Sequence, residues 1–175
     1  MSRIVLDTNS LIQSIPPKSK FHKIWKSFLD GTNELCVSSE ILAEYEEILQ
    51  RLTDLRTAKY VIELIINNPH TQFITPYFKF NLITADPDDN KFIDCAISAN
   101  AKYIVTEDHH FDVLKRCDFP KVDVIRLEAF LTELEQELSL KKIRKYWIDD
   151  SETSVLNEPP VEYHVKRNNK AAIYL

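Results

Sequence analysis

Acidic residues occupy several places in this sequence where carboxylates could act together. Asp7 directly follows the apolar run Ile4-Val5-Leu6, and Asp108 comes two residues after Tyr103-Ile104-Val105-Thr106. Asp94 lies inside Phe92-Ile93-Asp94-Cys95-Ala96-Ile97. Carboxylates gathered at one point raise each other's pKa unless a cation neutralises them. Hard oxygen donors with no accompanying Cys/His set suit Mg²⁺ or Mn²⁺ rather than zinc. Each acid also has a plainer account. An Asp after a strand often caps a helix or forms a turn. Glu40, Glu44 and Glu47 are spaced i, i+4, i+7, which taken alone reads as a solvated helix face. Asp86, Asp88 and Asp89 can make a turn and cap the helix that follows. Asp94 has the least solvated company, and Asn90 shares its face one turn earlier.

Other chemistries fail on their residue requirements. A single glycine, Gly31, excludes a P-loop and a dinucleotide fingerprint. Neither HExxH nor GxSxG occurs. An EF-hand starting at Asp86 would need Gly where Lys91 stands and Glu where Ile97 stands. The adjacent pair His109-His110 reads as surface or substrate-facing.

The acids need elements to position them. Ile4-Val5-Leu6 is a continuous apolar run, as in a buried parallel strand, and Asp7-Thr8-Asn9-Ser10 reads as the loop after it. Phe21, Ile24, Trp25, Phe28 and Leu29 make an amphipathic helix with Gly31 at its C-terminal end. Glu34 to Val37 is a second strand. Ser38 or Ser39 then caps a helix with Ile41, Tyr45, Ile48, Leu49 and Leu52 inward. A further helix spans about 54–67, with Leu55, Ala58, Val61, Ile62, Ile65 and Ile66 inward, stopped by Asn68-Pro69. Residues 73–76 and 81–84 are strand or extended loop. The turn 85–90 leads into a helix, Lys102 to Thr106 is a strand, and a short helix covers 111–117. The strand 122–127 and a helix over 128–138 complete the pattern. Strands alternating with helices at this spacing predict an α/β fold with a mainly parallel sheet, whose function lies at the strands' carboxyl ends. From Tyr146 the pattern weakens, and the chain reads as a tail through Pro159-Pro160 and Lys166-Arg167-Asn168-Asn169-Lys170.

With 175 residues, 44% hydrophobic and 28% charged, the chain is long enough for one domain with a full core plus that tail. Apolar runs are too short for a membrane span, and the N-terminus reads as a strand rather than a signal peptide. Cys36, Cys95 and Cys117 form no CxxC pair, consistent with reduced thiols in the cytoplasm. A net charge of −5 is unusual for a nucleic-acid binder. An acidic pocket that loads divalent cations tolerates it, because the metals themselves meet the phosphate.

Four segments together resemble the PIN-domain family, in particular the VapC-like toxin components of bacterial toxin–antitoxin pairs. They are Ile4-Val5-Leu6-Asp7-Thr8-Asn9, Val37-Ser38-Ser39-Glu40-Ile41-Leu42-Ala43-Glu44, Asp86-Pro87-Asp88-Asp89-Asn90-Lys91-Phe92-Ile93-Asp94-Cys95-Ala96 and Ala101-Lys102-Tyr103-Ile104-Val105-Thr106-Glu107-Asp108. The resemblance covers roughly residues 2 to 135, with the third segment typical of the Asp-Pro-Asp-Asp-Asn subgroup. It implies a three-layer α/β/α nuclease domain over residues 1–138, followed by a C-terminal extension over 139–175. It also implies a metal-dependent endoribonuclease using Mg²⁺ or Mn²⁺, an RNA substrate, a cognate antitoxin and a homodimer.

By the same resemblance Asp7, Glu44, Asp94 and Asp108 are the catalytic acids, with Asp89 as a further candidate ligand. Asn9, Asn90 and Thr106 would support them, and Lys18, Lys20, Lys23 and Lys26 would grip the RNA backbone. Asn90 stands where many relatives carry Asp, and Glu107 where they often carry Gly. Asn90 is the reason to weigh a catalytically inactive PIN-like module that binds RNA or protein. An α/β phosphatase would need a second Asp at the position of Asn9.

Overall fold

The apolar runs become the strands of one sheet. The computed structural model describes residues 1–153, with side chains described through residue 144. Strands β1 (Ser2–Leu6), β2 (Asn33–Val37), β3 (Thr71–Phe73), β4 (Tyr103–Val105) and β5 (Asp123–Ile125) pair in the order β3-β2-β1-β4-β5. Every pairing is parallel. The central strand contributes Ile4, Val5 and Leu6, each 0% exposed, which is why it reads as continuously apolar rather than alternating. Full burial of each such side chain is worth about 1.5–3 kcal/mol.

The helices are α1 (Thr8–Ser14), α2 (His22–Leu29), α3 (Ser39–Leu52), α4 (Leu55–Asn67), α5 (Asn90–Ala99) and α6 (Leu127–Thr153). Helices alternate with the strands along the chain, giving the α/β fold with a parallel sheet that the alternating pattern predicts. Ser38 caps α3 by accepting the Ile41 N–H, and Asp54 caps α4 by accepting the Thr57 N–H. Gly31 follows α2 at φ +77°, and a β-carbon there would lie 2.4 Å from the His70 ring.

Several expectations are corrected. The segment after Asp7 is a helix, not a loop. Thr8, Ser10, Leu11 and Ser14 are buried, and packing overrides the weak helix propensity of Thr-Asn-Ser. Leu52 and Leu55, expected inward, are 63% and 68% exposed, because the turn between α3 and α4 carries them past the core. Of the two ambiguous stretches, 73–76 enters a strand only at Phe73, where β3 ends, and 81–84 forms none. The last helix runs to Thr153 rather than ending near 138, since no glycine or proline interrupts it.

The chain divides into two units, Met1–Glu137 and Leu138–Leu175. The second holds the later turns of α6, while Pro159-Pro160 and the basic run at 166–170 lie outside the described residues. Among the described residues no helix is long and apolar enough to cross a membrane.

The strand order creates the site. The chain runs from β1 outward to β2 and β3, then returns to place β4 on the other flank of β1. This reversal is a topological switch point, and in open α/β sheets ligands bind at the carboxyl ends of strands beside it.

Candidate active site

Leu6 and Val105 are in register, so β1 and β4 end at the same level and their following residues emerge at one edge. Asp7 lies between them, its N–H donating to the Val105 carbonyl at 3.0 Å. The Thr106 hydroxyl donates to Asp7 Oδ2 at 3.0 Å and accepts the Asp108 N–H at 2.9 Å. Thr106 is completely buried, and this one hydroxyl ties the first acid to the last. Asp108 then accepts the His110 N–H at 2.8 Å and opens the 3-10 segment His109–Arg116. Asn9 is exposed, and with Asp7, Asp108 and His109 it lines a groove at this edge.

Glu44 reaches the same region from α3. The next residue, Tyr45, is fully buried and donates its hydroxyl to the Leu6 carbonyl, anchoring the helix beside the end of β1. Thr8 Oγ1 donates to Glu44 Oε1 at 2.6 Å, and Lys91 Nζ forms an ion pair with Glu44 Oε2. Glu44 is therefore directed inward. Its neighbours Glu40 and Glu47 instead pair with Lys79 and Arg51 at the exposed surface.

Asp89 and Asp94 have different surroundings. Asp89 ends the 3-10 turn Pro87–Asp89, and its Oδ2 is buried without a hydrogen-bond partner. Burial pushes its pKa up to about 6, and the carboxylates of Asp86, Asp108 and Asp7 add to the shift while His110 opposes it. Asp7 is raised too, first by burial and further by Glu44, against the hydrogen bond from Thr106. Asp94 instead accepts the Phe80 N–H at 2.9 Å, with Lys79 and Glu40 as its charged neighbours. Its other oxygen is buried and unpartnered. Burial is the main reason its pKa is raised.

Asn90 is committed to the backbone. Its side chain accepts the Ile83 N–H at 2.9 Å and donates to the Ile83 carbonyl at 2.7 Å and the Pro87 carbonyl at 3.0 Å. Asn90 and Asp94, one turn apart on α5, thus fasten the irregular segment between β3 and α5.

Asp7, Glu44, Asp89 and Asp108 accordingly share one neighbourhood, with Asp94 at its Glu40–Lys79 end. Among the described residues, two groups of three bring ligand atoms within 4.8 Å of one another: Asp86, Asp89 and His110, and Asp108, His109 and His110. His110 joins them, its Nδ1 lying 3.4 Å from Asp108 Oδ1 and 3.7 Å from Asp89 Oδ2. Uncompensated carboxylates with a buried free oxygen, and few competing donors, fit a hard divalent cation.

The four lysines form an exposed surface set. Lys20 pairs with Glu128 at 2.5 Å and Lys23 with Glu135 at 2.5 Å, both at the exposed surface. Lys18 and Lys26 are also exposed, and none of the four lines the grooves beside Asp7 or Asp89.

Sequence reasoning gave Thr8 and Lys91 no role at the site, and it left Glu107 and His110 without a partner. Glu107 accepts the Leu127 N–H at 2.7 Å, so it caps α6 from the loop that carries Asp108. The only local signal was their adjacency to the acidic motifs, which does not say what a side chain meets across the sheet.

The model of the PIN domain family matches residues 3–110. The fold is similar to a chain in the crystal structure of VapBC2 from Rickettsia felis bound to a DNA fragment from its promoter. That match has a TM-score of 0.52 at 18% identity and covers 71% of this chain and 98% of that one. It is also similar to a chain of VapBC-1 from nontypeable Haemophilus influenzae, with a TM-score of 0.51, 17% identity and coverage of 72% and 98%. A chain of DNA-bound VapBC from Salmonella typhimurium gives 0.50, 18%, 73% and 99%. At these identities the likeness is one of fold. No curated protein matches the chain.

Proposed function

The chain belongs to the PIN-domain family, and on that premise we propose that it is a metal-dependent endoribonuclease, the toxin member of a toxin–antitoxin pair. The observation that carries this reading is the convergence of Asp7, Glu44, Asp89 and Asp108 at the switch point between β1 and β4. Asp7, Asp89 and Asp108 would hold Mg²⁺ or Mn²⁺ with Glu44 beside them, Asp89 being preferred to Asp94 because it feels Asp7 and Asp108 while Asp94 feels Lys79 and Glu40. When bound, the ion supplies positive charge to a phosphodiester and acidifies water at the site.

The chain's own groups prepare that chemistry. Thr106 sets the rotamer of Asp7 and the backbone of Asp108. Thr8 turns Glu44 inward. His110, between Asp89 and Asp108, is placed to take or give a proton at Nδ1. The alternative, a PIN-like module that binds without cleaving, drew on Asn90. The amide's three bonds to the backbone of Ile83 and Pro87 give that residue another occupation, which supports the cleaving reading.

A protein partner is supported by the exposed Leu52, Leu55 and Tyr60 about the α3–α4 turn. The solved structures of similar fold are VapBC complexes, which supports an antitoxin in that role. Reduced thiols fit a cytoplasmic setting: burial pushes both Cys36 and Cys95 up to about 12, leaving them unreactive. Wild type should cleave RNA with Mn²⁺ and not with EDTA, and Asp7→Asn should abolish cleavage while remaining folded. RNA binding without cleavage in any divalent ion would refute the enzyme.

A further inference from the structure

We propose that Lys91 is a resident cation of the acidic site, standing at Glu44 in place of a second divalent ion, so that the site loads one metal ion per chain. The inference rests on the metal site proposed above and goes beyond it, because the acids alone do not say whether one ion or two are held.

Three observations carry it. Lys91 Nζ is ion-paired with Glu44 Oε2, and its side chain is only 16% exposed, unlike the surface pairs of Lys20 or Lys23 at 66% and 61%. The same ammonium donates to the Asp88 carbonyl at 2.8 Å, so it is anchored from a second side. Glu44's other oxygen is occupied by Thr8. Both oxygens of this carboxylate are therefore engaged within the chain, whereas Asp89 keeps a buried oxygen with no partner. The free oxygen of Asp89, within electrostatic reach of Asp108 and Asp7, is the place left for a single ion.

Two-metal sites hold their ions about 3.5–4 Å apart. A second ion on Glu44 would have to displace Lys91 or lie beside its positive charge, and like charges at such separations repel strongly in a partly buried site. Lys91 is thus a positioning residue that sets the metal count through Glu44. Its place one residue after Asn90 is dictated by α5, whose first turn points it back toward α3.

The probe is Mn²⁺ alone, counted per chain by calorimetry and by loss of the free-ion paramagnetic resonance signal, with no RNA present. Wild type should bind one Mn²⁺. Lys91→Met should bind two, or hold the first on the order of tenfold more tightly once the neighbouring positive charge is gone. Lys91→Arg, which keeps the charge, should bind one and serves as the control for folding. Two ions on wild type, or one ion of unchanged affinity on Lys91→Met, would overturn the role of Lys91 and leave the nuclease reading standing. No ion on wild type would overturn both.

Discussion

Replacing Asp89 by asparagine should make the metal-free protein more stable at neutral pH, although it removes a proposed metal ligand. The carboxyl is held at about 6 against a usual 3.8, by burial and by the charges of Asp86, Asp108 and Asp7. A group whose pKa is raised on folding favours the folded state at low pH. That contribution is fully present below the unfolded value and is lost as pH rises through the folded one. The rise corresponds to about 3 kcal/mol lost by pH 7.5, an upper bound for a groove that water reaches.

Asparagine carries no charge to desolvate, and no hydrogen bond to the Asp89 side chain is lost, since its Oδ2 is unpartnered. At about 2–4 °C per kcal/mol, the variant's Tm in EDTA at pH 7.5 should rise, by at most roughly 6–12 °C. The advantage should shrink by roughly half at pH 5, where the wild-type carboxyl is largely protonated. Adding Mn²⁺ should reverse the order at pH 7.5, because wild type gains ligand-binding stability that the variant lacks. Thermal unfolding at the two pH values, with and without metal, checks all three. A variant that is less stable in EDTA at pH 7.5, or whose advantage does not change with pH, would refute the electrostatic account of Asp89.

Further outcomes follow from the hydrogen bonds around the site. Asn90→Asp should cost about 2–4 kcal/mol by urea unfolding, because a carboxylate would face the Ile83 and Pro87 carbonyls that the amide now satisfies. It should not tighten Mn²⁺ binding. Thr106→Val strands the Asp108 N–H and should cost about 1–3 kcal/mol. It also removes the bond that lowers Asp7's pKa, so Mn²⁺ affinity should fall more at pH 6 than at pH 8, and equal losses at both would count against that coupling.

Much of this protein is readable from local pattern. Ile4-Val5-Leu6 and Tyr103-Ile104-Val105 announce buried strands because a strand covered on both faces needs apolar side chains at every position. Asp7 and Asp108 could be placed after those strands for the same reason. The stripes of α2, α3 and α4 follow from a repeat that any helix with one buried face must show. The family likewise could be read from short segments in order, since the acids stand at the ends of elements that periodicity marks out.

What periodicity cannot carry is the partner of a side chain across the fold. Glu44 has the same spacing as Glu40 and Glu47, and the seating of Tyr45 beneath Leu6 together with the Thr8 hydroxyl turns it inward. Asp94 stands out in the sequence by its apolar neighbours, yet its contacts show why it is buried: it holds the Phe80 N–H of a segment whose course no local rule specifies. Asp89, one of three acids in a turn, has its pKa raised first by burial and then by Asp86, Asp108 and Asp7, the last two arriving after other strands. The acidic residues were legible in the sequence. Their division into those that gather beside the β1–β4 switch point and those that hold the backbone was decided by the order β3-β2-β1-β4-β5, because charge and hydrogen bonding act through space between residues that strand pairing alone brings together.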